Sequence, residues 1–214
     1  MQEEGVTKFD LRFSERTPVS LDTFADLNRW RRQLWEQALI GQDSMRYGGY
    51  GFGNVSQRLP DSPELVGHRA FLISGSQTGH LPALRAEHYA VVSACDPTMN
   101  RVEAYGPIRP SSESLTHGML YDQADTIRVI LHVHSPDIWR AADRLQLPVT
   151  DVSVAYGTPA MAEEVRRLFN DTGVAEQRIF SMGGHEDGIV ALGKSADEAG
   201  AILLRTLSRC RNNS

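Results

Sequence analysis

Strand-like runs fill the middle of this 214-residue chain, and helical spacing is found towards both ends. That order constrains the fold more than any other feature of the sequence. Ala70–Ser74, Tyr89–Cys95 and Val102–Tyr105 are apolar runs separated by turn residues. Val129–His134 reads as a buried strand ended by Pro136. Ile179–Met182 and Ile189–Leu192 read as short strands. At the front, Phe24, Leu27, Trp30, Leu34, Trp35 and Ala38 recur at helical spacing. They predict a helix from Ser20 to about Ile40, stopped by Gly41. Ser111 or Ser112 opens a second helix through about Ala124, and Thr158-Pro159 a third to about Asn170. Ser195-Ala196-Asp197-Glu198 is a capping box for the last helix. This is not strict βαβ alternation. The expected fold is α/β, with three α/β/α layers and a central, mainly antiparallel sheet.

Residues 20–214 are expected to form one domain, preceded by a polar extension, 1–19, frayed or draped over the surface. No run approaches the ~20 apolar residues of a membrane span. The start, MQEEGVTKFD, has no basic-then-apolar leader pattern, so a cytoplasmic protein is expected. Lys+Arg is 22 against 27 Asp+Glu, a net charge of -5, which speaks against a general nucleic-acid binder. Lys8 and Lys194 are the only lysines. Lys8 falls in the expected loose tail and Lys194 near a strand end, so neither suits Schiff-base chemistry. Cys95 and Cys210 are too few for a disulfide framework and are expected to be ordinary reduced residues.

Chemistry concentrates in three places. In Ile130-Leu131-His132-Val133-His134, side chains at i and i+2 of a strand share a face, about 6.6 Å apart. Two imidazoles placed this way can converge on one metal ion. Read alone, they are equally a polar pair at a strand end. Pro110-Ser111-Ser112-Glu113, with His117 and Tyr121, puts a carboxylate at a helix start, which the helix dipole alone explains. His185 sits in a Gly-flanked turn, Gly183-Gly184-His185-Glu186-Asp187-Gly188. Taken together, three imidazoles and a carboxylate suit Zn²⁺ or another divalent transition metal, with coordination positions left for water or substrate. A carboxylate beside such a metal can be a ligand at rest and a proton acceptor in turnover.

These motifs, with Gly53-Asn54-Val55-Ser56 and Ser74-Gly75-Ser76-Gln77-Thr78-Gly79, resemble the class II aldolase and adducin head-domain family. The resemblance spans about residues 20–209. It implies that His132, His134 and His185 are metal ligands and that Glu113 is a fourth ligand or the general base. It also implies that Asn54, Ser111, Ser112, Thr78 and Gly79 bind a phosphate or carboxylate group. Anions suit such places, because Gly-containing turns and helix N-termini present free N–H groups. The implied activity is a metal-dependent lyase of aldolase type. It would act on a small polyoxygenated carbonyl compound, a sugar phosphate or a hydroxy or keto acid, through a metal-stabilised enediolate. Decarboxylation, dehydration and epimerisation use the same apparatus. A non-catalytic adducin-like module, or a metal-binding protein without turnover, is the alternative of another class. The resemblance further implies a cyclic homotetramer with sites at subunit interfaces.

The sequence departs from the aldolases at one conspicuous place. They carry a tyrosine four residues before the glycine matching Gly157; here that residue is Ser153, and Tyr156 is displaced by three. The tyrosine-bearing tail of some aldolases is also missing, so no general acid is assigned. Glu186-Asp187 lengthens the His185 turn and is a candidate for orienting a ligand. His117 is expected to support its helix; His68, His80 and His88 carry no expectation.

Overall fold

The computed structural model describes residues 6–60 and 70–212. In chain order the strands are β1 (Asp10–Glu15), β2 (Gly41–Gln42), β3 (Gly51–Phe52), β4 (Asn54–Arg58), β5 (Phe71–Ser74), β6 (Tyr89–Asp96), β7 (Arg101–Gly106), β8 (Val129–His134), β9 (Ile179–Ser181) and β10 (Gly188–Gly193). The helices are α1 (Ala25–Glu36), α2 (Ser114–Gln123), α3 (Pro136–Arg140), α4 (Pro159–Asp171), α5 (Val174–Gln177) and α6 (Ala196–Asn212). One 8-stranded sheet runs in the order β1-β7-β6-β5-β4-β8-β10-β9, and β2 and β3 form a separate ribbon. Every neighbouring pair of the large sheet is antiparallel except β1 with β7.

Helices cover both faces. On one, Leu27 and Leu34 of α1, Ile138 of α3 and Leu203 and Leu207 of α6 pack on Val55, Leu131, Val133 and Ala191. On the other, Leu115 and Met119 of α2 and Met161 and Val165 of α4 pack on Ile73, Val92, Ile130 and Val190. The three-layer, largely antiparallel expectation therefore holds, with one parallel pair added. Strand β8 lies between β4 and β10 and is buried along its whole length. Its alternation sends Leu131 and Val133 towards α1, α3 and α6. It sends Ile130, His132 and His134 towards the face of α2 and α4.

Four expectations need correction. The N-terminal extension is not wholly loose, because Asp10–Glu15 form edge strand β1 against β7. Its sequence, DLRFSE, is mostly exposed, so backbone pairing sets this strand more than burial does. Lys8 is not in a loose tail either, because its carbonyl accepts from Asn100 Nδ2 at 2.8 Å. The first helix is shorter than its apolar spacing suggests. A 3₁₀ turn, Leu21–Phe24, precedes it, and its end is followed by Ala38 in the left-handed region at φ 55°, ahead of Gly41. The helix expected from Ser111 or Ser112 starts at Ser114 with Glu113 as its N-cap. Ser111 spends its groups on a turn instead: its carbonyl accepts from Ser114 N and its Oγ from Glu113 N.

Candidate functional site

The end of β8 carries the first two imidazoles. Register places His132 opposite Asn54 on β4 and Val190 on β10, with His134 opposite Gly188. The turn joining β9 to β10 brings in His185. That turn sits tightly against the segment before α4: a Cβ on Gly183 would lie 2.3 Å from the Thr150 carbonyl oxygen, and one on Gly184 2.4 Å from that of Val154. Only glycine allows this approach, and it turns His185 inward. Asp187, with φ 62°, closes the turn. The imidazole nitrogens of His132, His134 and His185 lie within 4.8 Å of one another, and all three residues are buried.

Glu113 joins them from the start of α2. Its Oε1 is 2.8 Å from His132 Nε2 and 3.7 Å from His185 Nδ1. The approach to His132 Nε2 lacks hydrogen-bond geometry. On the far side of the ring, His132 Nδ1 lies 3.3 Å from the Ile189 carbonyl, which can only accept. Nδ1 therefore carries a proton, and Nε2 is the nitrogen turned towards Glu113 and the other rings. Burial pushes the Glu113 carboxyl upward, but His132 and His185 beside it outweigh this and bring it down to about 2. Burial, then the neighbouring imidazoles, hold His134 well below its ordinary value, so it is neutral. A neutral imidazole is the form that can ligate. This donor set, three imidazoles with one carboxylate, fits a divalent transition metal.

A polar recess opens beside Glu113. Asn54, Thr78, Gly79, Ser111 and Ser112 all line it. Asn54 Oδ1 and Glu113 Oε2 are buried there without a hydrogen-bond partner among the described residues. The loop through Thr78 and Gly79 is pinned from behind. Arg31, buried in α1, donates to the carbonyls of Thr78 at 2.9 Å and, more tightly, Leu81; Trp35 Nε1 donates to that of Gly79. A Cβ on Gly79 would meet the Gly41 carbonyl oxygen at 2.2 Å, so this close passage also requires glycine. Thr78 Oγ1 donates to the Gly75 carbonyl, leaving that hydroxyl only its lone pairs to offer.

The other expectations divide. Ser153 is exposed and bonded to Asp151 at 2.6 Å, so it does not enter the cluster. Tyr156 does: its ring stacks on His185 at 4.5 Å between centroids. Glu186 is exposed. Asp187 is buried and acts at one remove, its Oδ2 accepting from Tyr47 at 2.7 Å and from Arg46 at 3.0 Å. Burial, then the bond to Asp187, push the Tyr47 phenol far above its ordinary value. The Tyr47 ring meets His134 edge-on at 4.5 Å. His117 lies beneath the site, its Nδ1 2.7 Å from Ser56 Oγ, which also bonds the Tyr121 hydroxyl. His80 contacts the Gln77 carbonyl and His88 caps Arg85, both away from the cluster; His68 lies outside the described residues. Tyr47 and Arg46 carry no sequence signal beyond their place beside the Gly48–Gly53 turn.

Residues 43–211 match the family model described as Class II Aldolase and Adducin N-terminal domain. The chain belongs to the class II aldolase and adducin family. A methylthioribulose-1-phosphate dehydratase of Leptospira biflexa is 26% identical over 178 residues, covering 71% of this chain and 80% of that protein. Among solved structures, an L-fuculose 1-phosphate aldolase superposes with a TM-score of 0.63 at 21% identity, over 90% of this chain and 84% of its own. The L-fuculose-1-phosphate aldolase of Thermus thermophilus gives 0.60 at 20% identity, over 88% and 91%. At these identities the structures establish the shared fold. Among the described residues no helix is long and apolar enough to cross a membrane.

Proposed function

We propose that this chain is a metal-dependent lyase acting on a small, anionic, polyoxygenated carbonyl compound. His132, His134 and His185 hold a divalent transition metal, Zn²⁺ or a close substitute, with Glu113 as fourth ligand at rest. The observation that carries this reading is three buried imidazoles converging beside a buried carboxylate, with Glu113 Oε1 2.8 Å from His132 Nε2. A bound metal would supply charge stabilisation for the oxyanion that develops during C–C or C–O cleavage.

Glu113 moves the proton. Its acidity in the structure reflects the charge of its imidazole neighbours; burial, the largest single influence, acts the other way. When those rings are neutral, burial makes the carboxylate a stronger base, positioned to take a proton next to a substrate carbonyl. Asn54, Ser111, Ser112 and Gly79 bind the phosphate or carboxylate end and orient the carbonyl towards Glu113, with Thr78 lending its backbone because its hydroxyl proton is committed to the Gly75 carbonyl. The Asn54 amide supports this: one of its polar atoms is buried without a partner, and an amide turns to suit the group it meets. Burial of His132 and His134 keeps bulk water from the reacting centre.

Aldol-type cleavage is the first form of this reading. Dehydration is the second, favoured by the dehydratase named above and by Ser153 standing away from the cluster where an aldolase carries tyrosine. A cytoplasmic homo-oligomer, tetrameric by family resemblance, belongs to the same reading. It is supported by the exposed apolar side chains of Met45, Tyr50 and Val152 along a cleft beside His185, which a second copy would cover.

The test is a screen of metal-loaded protein against sugar phosphates and hydroxy or keto acids, read by product formation and by exchange of the substrate α-proton with solvent. Glu113→Gln is expected to keep most of the metal and to lose that exchange. Wild-type exchange in Glu113→Gln removes Glu113 from the mechanism.

A further inference from the structure

Of the three imidazoles, His185 is the one on a loop. His132 and His134 are held by the central strand β8 and its neighbours. The turn before His185 is Gly183-Gly184, which has no side chains to brace the ring. Bracing comes from elsewhere. The Tyr156 ring lies nearly parallel to His185, at 25° and 4.5 Å. Tyr156 is itself fully buried and followed by Gly157, whose N–H donates to Thr116 Oγ1 on α2 at 3.2 Å. Lys8 Nζ sits 3.7 Å from the Tyr156 centroid. Two groups this close cannot share one face, so the ammonium and the imidazole sandwich the ring.

Lys8 is fixed from its C-terminal side. Asn100 Nδ2 donates to its carbonyl, Asp10 N donates to the Asn100 carbonyl at 2.8 Å, and Phe9 between them is buried. Lys8 also lies before residue 43, where the match to the family model begins.

We propose that Tyr156 and Lys8 are positioning residues for His185, through which the N-terminal arm preorganises the metal centre. This rests on the metal-site reading above. The cation is attracted to the electron-rich face of the phenol and holds the ring against the imidazole. The stacked ring then limits His185 to the rotation that points its nitrogen at the other two. Without the sandwich, His185 must be ordered when metal binds, and affinity falls. The ring matters more than the hydroxyl, and the charge at position 8 more than its stem.

The experiment strips the full-length protein of metal and titrates it with Co²⁺ against a chromophoric chelator, recording the d–d spectrum. Tyr156→Leu, which keeps apolar bulk, is expected to weaken Co²⁺ binding about tenfold or more and to change the spectrum, as loss of a group that orients a ligand does. Tyr156→Phe restores both. Lys8→Met weakens binding by a smaller factor, and Lys8→Arg restores it. Wild-type affinity and spectrum in Tyr156→Leu, or in Lys8→Met should Tyr156→Leu not fold, overturn the proposal, since a residue that merely fills the core would give that result. A His132→Ala, His134→Ala variant that still binds Co²⁺ as the wild type does overturns the metal-site reading instead.

Discussion

The two faces of β8 differ in kind. Leu131 and Val133 look into an uninterrupted apolar layer under α1, α3 and α6. One residue away, His132 and His134 look into a layer where Asn54, Ser56, Glu113 and His117 are set among apolar neighbours, all buried. The first face is what burying a strand rewards, at roughly 25 cal/mol per Å² of apolar surface. The second works against folding, since burying polar atoms such as Asn54 Oδ1 and Glu113 Oε2, which have no hydrogen-bond partner among the described residues, costs free energy. One strand thus carries stability on one side and chemistry on the other, and a single residue of register separates them.

Three measurements probe this contrast. The largest effect belongs to the apolar face. Leu131→Ala is expected to cost about 2–5 kcal/mol in denaturant unfolding while metal stoichiometry holds. His134→Leu, compared in metal-free protein, is expected to cost nothing or to add about 1 kcal/mol, because it removes a buried polar group at similar volume. Equal losses for the two would make His134 a structural residue and end the contrast.

Acid acts next, and only on the polar face. Burial lowers His117 from 6.5 to about 3, with Glu113 partly opposing, and it lowers His134 as well. Below pH 6.5 the unfolded chain binds protons at these sites that the folded protein refuses, so stability falls with falling pH until His117 itself protonates near 3. Glu113 adds a lower window: its pKa falls from 4.5 to about 2, so its contribution is intact above 4.5 and is lost between those values. Metal-free protein should therefore lose stability from about pH 6.5 downward in unfolding titrations, and His117→Gln should flatten the upper part of that curve. A flat profile between about pH 6.5 and 5 would contradict the neutral, buried state of these rings.

The smallest effect lies at the rim. Ser112→Ala is expected to raise KM for an anionic substrate about tenfold, the size of one hydrogen bond to a charged group, with kcat changed less. An unchanged KM would place the anion elsewhere.

Much of this was legible before folding was considered. The bounds of β8 follow from its apolar run and Pro136, and the shared face of His132 and His134 from strand alternation. Glu198 N does meet Ser195 Oγ, as the capping box requires, though the Glu198 carboxylate returns to Lys194 N and not to Ser195. Strand β1 was not legible, because an edge strand paired through its backbone needs no hydrophobic alternation. The roles of Tyr47 and Asp187 were hidden for another reason, since these partners lie 140 residues apart.

Local elements, the order of the motifs and the chemical character of each donor are written in the chain itself. They depend on periodicity, turn residues and side-chain type, which act over a few neighbours. Packing alone makes His185 meet the β8 pair, lets Arg31 pin the loop of Thr78 and Gly79, and brings Lys8 to Tyr156. Such meetings are fixed by how layers stack and by where glycines let backbones touch. No window along the chain contains both partners.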